Sequence, residues 1–87
     1  MKYAAIIEYI HDAGKVQSIR PTHREYLASL KEQGRLAASG PFTDGSGALI
    51  IYEADSPEQA EDLLRNDPFH QGGVFVSWAI RPWNQVM

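Results

Sequence analysis

Residues 48–59 read ALIIYEADSPEQ, and this stretch decides the fold because a strand and a helix start follow each other directly. Residues 48–54 are rich in β-branched and aromatic side chains, which are typical of a strand. Ser56 then fits the N-cap of a helix, Pro57 fits its first turn, and Gln59 can reach back to the cap. The stretch therefore predicts a strand that leads directly into a helix.

The first helix is predicted to begin within residues 20–22. Pro21 suits the first helical turn, and THRE over 22–25 has the pattern of a capping box. These two cues place the first helical residue at slightly different positions, and the sequence leaves both open. Residues 12–18 are then predicted to form a loop, and Gly34 is expected to end the helix.

The remaining segments complete a strand–helix–strand–strand–helix–strand order. A turn is predicted at DGSG, residues 44–47, and Pro68 is expected to end the second helix near Asp67. The predicted strands lie at 2–10, 35–43, 48–54 and 74–83. This order is the split βαβ pattern of a ferredoxin-like fold, in which the helices cover one face of an antiparallel sheet. The sequence thus predicts an α+β fold as one domain over residues 1–87.

Two of the predicted strands carry apolar side chains on both faces. In one of them Leu49 and Ile51 alternate with Ile50 and Tyr52, and the final strand follows a similar pattern. Two helices cover only one face of a sheet, so the second apolar face needs another cover. A second copy of the chain is the predicted cover, and a homodimer packed sheet to sheet is expected.

Composition narrows the classes of function. The chain has a net charge of −3 and scattered Lys and Arg residues, so it lacks the basic stripe that binds nucleic acids. It contains no cysteine, which excludes disulfides and thiolate metal ligands. Glu8 and Asp12 interrupt the apolar start of the chain before a membrane span can form. A cytoplasmic protein without nucleic-acid or membrane partners is expected.

Each predicted helix carries one polar residue on its apolar stripe. His23, Leu27 and Leu30 are spaced i, i+4, i+7, so the imidazole is expected to face inward with the leucines. In the second helix, Asp67 follows Leu63 by one helical repeat and continues the apolar stripe. A polar side chain on such a stripe is either buried with a partner or exposed in a pocket.

The predicted topology brings these two side chains together. The start of the first helix and the end of the second lie at the same end of the fold, so His23 and Asp67 are predicted to pair. A carboxylate in the last turn of a helix lies at the negative end of the helix dipole, which is unfavourable. A nearby imidazole would offset this interaction. The same end collects Tyr9, Ser39 and Gly40, which are predicted to border a small ligand cleft.

A metal site is not expected. His11, His23, Asp67 and His70 lack the spacing of a zinc motif. Pro68 also breaks the helix between the last two, so these do not share a helical face.

The other aromatic and basic residues carry weaker signals. Trp78, Trp83 and Phe69 are expected to pack in the core or in the dimer. Arg20 and Arg81 fit either the binding of an anionic substrate or surface ion pairs, and the sequence leaves both open.

Four stretches resemble the YCII-related (YciI-like) family over nearly the whole chain: RPTHREYL, GRLAASGPF, DGSGALIIYEADSPEQAEDLLRNDPF and IRPW. The resemblance implies a ferredoxin-like fold that assembles into a dimeric α+β barrel. It also implies a His–Asp dyad, which maps onto His23 in RPTHREYL and Asp67 in NDPF. One branch of the family is a lyase that removes chloride from chlorinated hydroxyquinones, so the resemblance implies dehydrochlorinase-like chemistry.

The residues themselves favour proton transfer. A helix N-terminus beside His23 favours the neutral imidazole and the Asp67 carboxylate favours the imidazolium, a balance that suits a general acid or base. Ser39 lacks a nucleophile-elbow context, so elimination or isomerisation fits better than acyl transfer. The sequence predicts a small enzyme without a cofactor that acts on a small molecule. Two alternatives stay open: a non-catalytic ligand-binding or accessory protein, and a dyad that only ties two helices together.

Overall fold

The computed structural model covers residues 1–87 and contains a four-stranded sheet and three helices. In chain order the elements are β1 (Lys2–Tyr9), α1 (Ala13–Glu32), β2 (Leu36–Pro41), β3 (Gly47–Glu53), α2 (Pro57–Arg65), α3 (Pro68–Gln71) and β4 (Phe75–Trp83). The strand order is β2-β3-β1-β4, and all neighbouring strands are antiparallel. This arrangement confirms the predicted α+β, ferredoxin-like fold. None of the helices combines the length and hydropathy that crossing a membrane requires.

The hairpin between β2 and β3 turns at the predicted DGSG sequence. Gly45 has a φ of +77°, a conformation that glycine adopts without steric strain. The N–H of Ser46 donates a hydrogen bond of 2.9 Å to Oδ1 of Asp44, which closes the turn from the side chain. The hairpin places β2 at the edge of the sheet, beside β3.

Helix α1 begins well before the predicted position and includes the predicted loop. Asp12 caps it by accepting a hydrogen bond of 3.1 Å from the N–H of Lys15. Val16 is buried two helical turns before His23, so the apolar stripe continues through the start of the helix. Pro21 lies inside α1, where its missing N–H removes one backbone hydrogen bond. The predicted start was wrong, and His23 lies in the middle of the helix rather than in its first turn.

Helices α2 and α3 divide the segment that the sequence predicts as one helix. Ser56 caps α2 as predicted, but α2 ends at Arg65 and Pro68 begins a second, four-residue helix. Asp67 caps α3, because its Oδ1 accepts a hydrogen bond of 2.8 Å from the N–H of Phe69. The observed end of α2 lies two residues before the predicted one, and Asp67 is not in a last turn. The carboxylate meets the free N–H groups at a helix start, which favour it, and not the carbonyls of a last turn.

The helices cover one face of the sheet and leave the other open. The covered face carries the buried side chains of β1, namely Tyr3, Ala5, Ile7 and Tyr9. We call the open side the outer face; its apolar side chains include Ala4, Ile6, Ala38, Leu49, Ile51, Ala79 and Trp83. Several of these are well exposed, with Ile6 at 50% and Trp83 at 43%. The sheet is thus apolar on both faces, as the sequence predicts.

A β-bulge alters the faces of β4. The register of β1 against β4 shifts between Glu8 and Tyr9, and this shift brings Phe75 opposite Tyr9. Phe75 is consequently buried on the covered face, whereas simple alternation along the strand places it on the face of Ser77. The bulge adds a phenylalanine to the aromatic cluster under α3.

Candidate active site

His23 and Asp67 form a buried pair between α1 and the start of α3. Nδ1 of His23 lies 2.7 Å from Oδ1 and 2.9 Å from Oδ2 of Asp67. Asp67 has no exposed surface, and His23 is 5% exposed. The predicted pair is present, although it joins the middle of one helix to the N-cap of another. Because His23 is not in a first turn, the predicted effect of a helix N-terminus on its ring does not apply.

The contacts of Asp67 determine which imidazole nitrogen is free. An ionised carboxylate only accepts hydrogen bonds, so Nδ1 of His23 donates to Asp67, as the N–H of Phe69 does. The neutral imidazole then has its lone pair on Nε2. No residue of the chain forms a hydrogen bond with Nε2. A fully enclosed Nε2 would therefore be a buried polar atom without a partner, but Oη of Tyr52 is the only such side-chain atom in the structure. Nε2 therefore keeps some exposed surface, and His23 is part of the wall of a cavity.

Phe69 holds both members of the pair. Its ring stacks on the imidazole of His23, with centroids 3.9 Å apart and planes 14° apart. Its backbone N–H binds the carboxylate of Asp67 at 2.8 Å. Tyr9 and Phe75 pack against the same phenyl ring with edge-on geometry, at centroid distances of 5.4 and 5.9 Å. The sequence predicts only a packing role for Phe69, and the structure adds that it fixes the plane of the imidazole.

A cavity of about 360 Å³ opens beside the imidazole, between α1, β2 and β3. Four of the five predicted site residues line it, namely His23, Tyr9, Ser39 and Gly40, while Asp67 lies behind His23. No protein atom approaches within 4 Å of the place that a Cβ would take on Gly40. The structure thus gathers the predicted residues around one space of the size that small ligands occupy.

Three tyrosines lie near the buried carboxylate and feel its charge. Burial, with a further contribution from Asp67, raises the pKa of Tyr26 to about 12. Burial and then Asp67 also raise the pKa of Tyr52. The pKa of Tyr9 rises through burial, against the opposing charge of Arg20. All three phenols therefore stay neutral near pH 7, and they can act there only as hydrogen-bonding groups.

Basic residues of α1 also line the cavity. Arg20, Arg24 and Lys31 all border it, and Arg20 has no acidic partner within 4 Å. The surface ion pair that the sequence leaves open for Arg20 is therefore not made. Arg81 lies on β4 and does not line the cavity. Sequence reasoning missed Arg24 and Lys31, although their separations from Arg20 place all three on one side of a helix.

The remaining histidines and tryptophans lie away from the pair. No group of three or more His, Asp or Glu side chains lies close enough together to hold a metal ion. His70 contacts the ring edge of Trp78 at 5.1 Å, and Trp78 packs against the core. His11 borders a neighbouring cavity, while Trp83 is on the outer face.

Fold and site together define a small α+β domain of ferredoxin-like topology that encloses a His–Asp pair beside a cavity. The chain belongs to the YCII-related domain family, whose model matches residues 1–84. The protein YciI of Escherichia coli is 29% identical over 79 residues, which cover 79% of this chain and 81% of that protein. The uncharacterized protein YjpA of Bacillus subtilis is 39% identical over 51 residues, which span 59% of this chain but only 60% of that protein.

Solved structures share the fold at lower sequence identity. The 5-chloro-2-hydroxyhydroquinone dehydrochlorinase TftG of Burkholderia phenoliruptrix, solved with 2,5-dihydroxybenzoquinone, matches with a TM-score of 0.84 and 23% identity over 97% of this chain and 94% of that one. Rv0793 of Mycobacterium tuberculosis matches over the full length of both chains with a TM-score of 0.60 and 12% identity. At these identities the likeness establishes the fold.

Proposed function

We propose that this protein is a cofactor-independent enzyme that transfers a proton on a small molecule, with His23 and Asp67 as its catalytic pair. The observation that carries the proposal is the position of His23 in the cavity wall, with Nδ1 held by Asp67 and Nε2 without a partner in the chain. This geometry leaves one nitrogen free to take or give a proton, while the carboxylate stabilises the charged ring.

The proposed reaction is a lyase-type elimination. In the keto tautomer of a chlorinated hydroxyquinol, the carbon that carries chlorine also carries hydrogen. Nε2 of His23 removes a hydroxyl proton from this tautomer, the electrons of the O–H bond form a C=O bond, the adjacent ring double bond shifts, and chloride departs with its electron pair. Asp67 offsets the positive charge of the imidazolium during this step. The proton then passes from Nε2 to solvent. Support for this class comes from the dehydrochlorinase that shares the fold with a TM-score of 0.84.

Three further residues are assigned to ligand binding. The phenol of Tyr9 and the hydroxyl of Ser39 offer hydrogen bonds at the cavity, and Gly40 leaves room for close approach to the backbone. A volume of about 360 Å³ suits a molecule with one ring. The 2,5-dihydroxybenzoquinone bound by the dehydrochlorinase is of this size, which supports a similar ligand here.

The decisive variant is His23→Asn. The amide of asparagine can take the place of Nδ1 beside Asp67, but it supplies no group at the position of Nε2. With 5-chloro-2-hydroxyhydroquinone as probe, chloride release is expected to fall about 10²–10⁴-fold, the range for loss of a general base. Binding of 2,5-dihydroxybenzoquinone is expected to persist. His11→Asn, which changes a histidine outside the pair, is the control and should release chloride at the wild-type rate.

A non-catalytic ligand-binding or accessory protein is the second candidate. The near-complete burial of the His23 ring favours it, because a buried pair of this kind can have the purely structural role of joining α1 to α3. Wild-type protein that binds the quinone but releases no chloride would support this candidate. Chloride release that is undiminished in His23→Asn would contradict the catalytic role of the pair.

We also propose that two copies of the chain associate through their outer faces. Ile6, Leu49 and Trp83 are 50%, 38% and 43% exposed on this face, and the chain supplies no element that covers them. Association of two such faces would remove a contiguous apolar surface from water. The expected cytoplasmic location stays a prediction.

A further inference from the structure

The cavity beside His23 has a basic side. Arg20, Arg24 and Lys31 line it along α1, and no acidic side chain borders it. These three are drawn from only eight Lys and Arg residues in a chain with eleven acidic residues and a net charge of −3. The positive charge is therefore a local property of the cavity, opposite in sign to the charge of the whole protein.

None of these three cations is neutralised within the chain. The ion pairs of the structure join other groups: the N-terminus and Lys2 to Glu53, His23 to Asp67, and Arg65 to Glu61. Arg20 is half-buried, and an anion in the cavity could form charge-assisted hydrogen bonds with its unpaired guanidinium. Asp67 does not serve as a partner, since its only ion pair is with His23.

The two arginines and His23 line the same cavity. Both guanidinium groups act on the phenol of Tyr9 and lower its pKa against the effect of burial, Arg20 more strongly than Arg24. Tyr9 packs on the edge of Phe69, whose face covers His23. The positive groups and Nε2 therefore border the same small volume.

We propose that this site selects one-ring organic anions, whose carboxylate or enolate oxygens bind Arg20 and Arg24 beside Nε2 of His23. The proposal rests on the proposed function in that it takes this cavity as the ligand site. Guanidinium groups form charge-assisted hydrogen bonds to such oxygens, often in pairs. During proton removal by Nε2 the same groups stabilise the negative charge that develops on the ligand. Lys31 extends the positive side of the cavity along α1.

The test compares two probes of similar shape. The dihydroxy compound 2,5-dihydroxybenzoquinone is ionised at neutral pH, whereas 2,5-dimethoxybenzoquinone cannot ionise. Calorimetric titration is expected to show at least about tenfold tighter binding of the anion, an advantage that added salt reduces. Arg20→Gln and Arg24→Gln are each expected to weaken binding of the anion about 10-fold or more and to leave binding of the neutral probe unchanged.

Two further variants sharpen this test. Arg20→Lys keeps the charge without the planar fork and is expected to recover part of the lost affinity for the anion. Arg65→Gln removes an arginine of α2 that lies outside the cavity and already pairs with Glu61, so it serves as the matched control with unchanged affinities.

Equal affinity for the two probes overturns the proposal, as does a failure of both probes to bind. A loss in Arg20→Gln and Arg24→Gln that is the same for both probes also overturns it. Failure of the proposed function gives a different result, since chloride release is then insensitive to His23→Asn while the preference for the anion remains. The converse result is chloride release that depends on His23 while the two probes bind equally well. That result contradicts the selection of anions and leaves the proposed function intact.

Discussion

The two faces of the sheet differ in what covers their side chains. The covered face is closed by helices of the same chain, and it encloses a charged group, Asp67, that has no exposed surface. The outer face carries apolar side chains such as Ile6 and Leu49 and has no helix over it. A buried carboxylate needs partners within the chain, and an exposed apolar surface needs a partner outside it. The covered face therefore holds the candidate site, and the outer face is the candidate interface.

The enclosed pair gives the largest expected effect on stability. Asp67→Ala leaves His23 without its partner and removes the cap of α3, so the free energy of unfolding is expected to fall by about 3–5 kcal/mol. Urea denaturation followed by circular dichroism measures this change. Asp62→Ala deletes an exposed carboxylate of α2 and is the matched control, with an expected change within about 0.5 kcal/mol.

Asp67→Asn separates the two roles of this side chain. Its amide oxygen can still accept the hydrogen bond from Phe69, while the charge beside His23 is lost. Its expected loss of stability is smaller than that of Asp67→Ala. If Asp67→Ala unfolds as readily as the wild type, the pair does not hold α1 against α3 and the covered face is sealed by its apolar contacts alone.

A charged residue on the outer face tests whether this face is the interface of a dimer. Ile6→Lys is expected to separate the proposed dimer, because a lysine in the centre of an apolar interface loses its hydration without gaining a partner. Sedimentation is expected to report a dimer for the wild type and a folded monomer for the variant. Thr22→Lys adds the same charge on the exposed side of α1 and should remain dimeric. A wild-type chain that sediments as a monomer at micromolar concentration contradicts the proposed interface.

The smallest expected effect is a difference in stability between variants of two tyrosines near the covered face, Tyr26 and Tyr52. The hydroxyl of Tyr26 donates a hydrogen bond of 2.6 Å to the carbonyl of Leu63, so Tyr26→Phe is expected to lower the free energy of unfolding by about 1 kcal/mol. The hydroxyl of Tyr52 is buried without a partner, so Tyr52→Phe is expected to cause no loss or a gain. Thermal unfolding of both variants measures the difference, and equal losses would show that Tyr52 has a partner after all.

Local signals predicted most of the fold. The cap at Ser56 and the DGSG turn place α2 and the β2–β3 hairpin correctly, because each depends on hydrogen bonds among neighbouring residues. The same locality explains the error at α1. Pro21 and the THRE pattern have all the local features of a helix start, so the sequence predicts that the helix begins there. Only the burial of Val16 in the structure shows that the helix begins earlier.

The second error has a related cause. Pro68 is a valid stop for α2, but it is also a good first residue for another helix, and a four-residue helix is too short to show periodicity. The sequence therefore placed Asp67 at the wrong end of a helix while correctly predicting that it faces His23. That result came from the predicted apolar stripes together with the predicted topology, which brings the start of the first helix and the end of the second to the same end of the fold.

The amino-acid sequence alone predicted the order of strands and helices, because periodicity and turn chemistry are local. For the same reason it predicted one imidazole and one carboxylate on apolar stripes. Long-range packing alone brought Nδ1 within 2.7 Å of a carboxylate 44 residues away and placed His23 in the wall of a cavity. It also placed Arg20 and Arg24 along the same cavity. The physical reason is that such distances depend on how α1, α3 and the sheet settle against one another, which no short stretch of the chain encodes by itself.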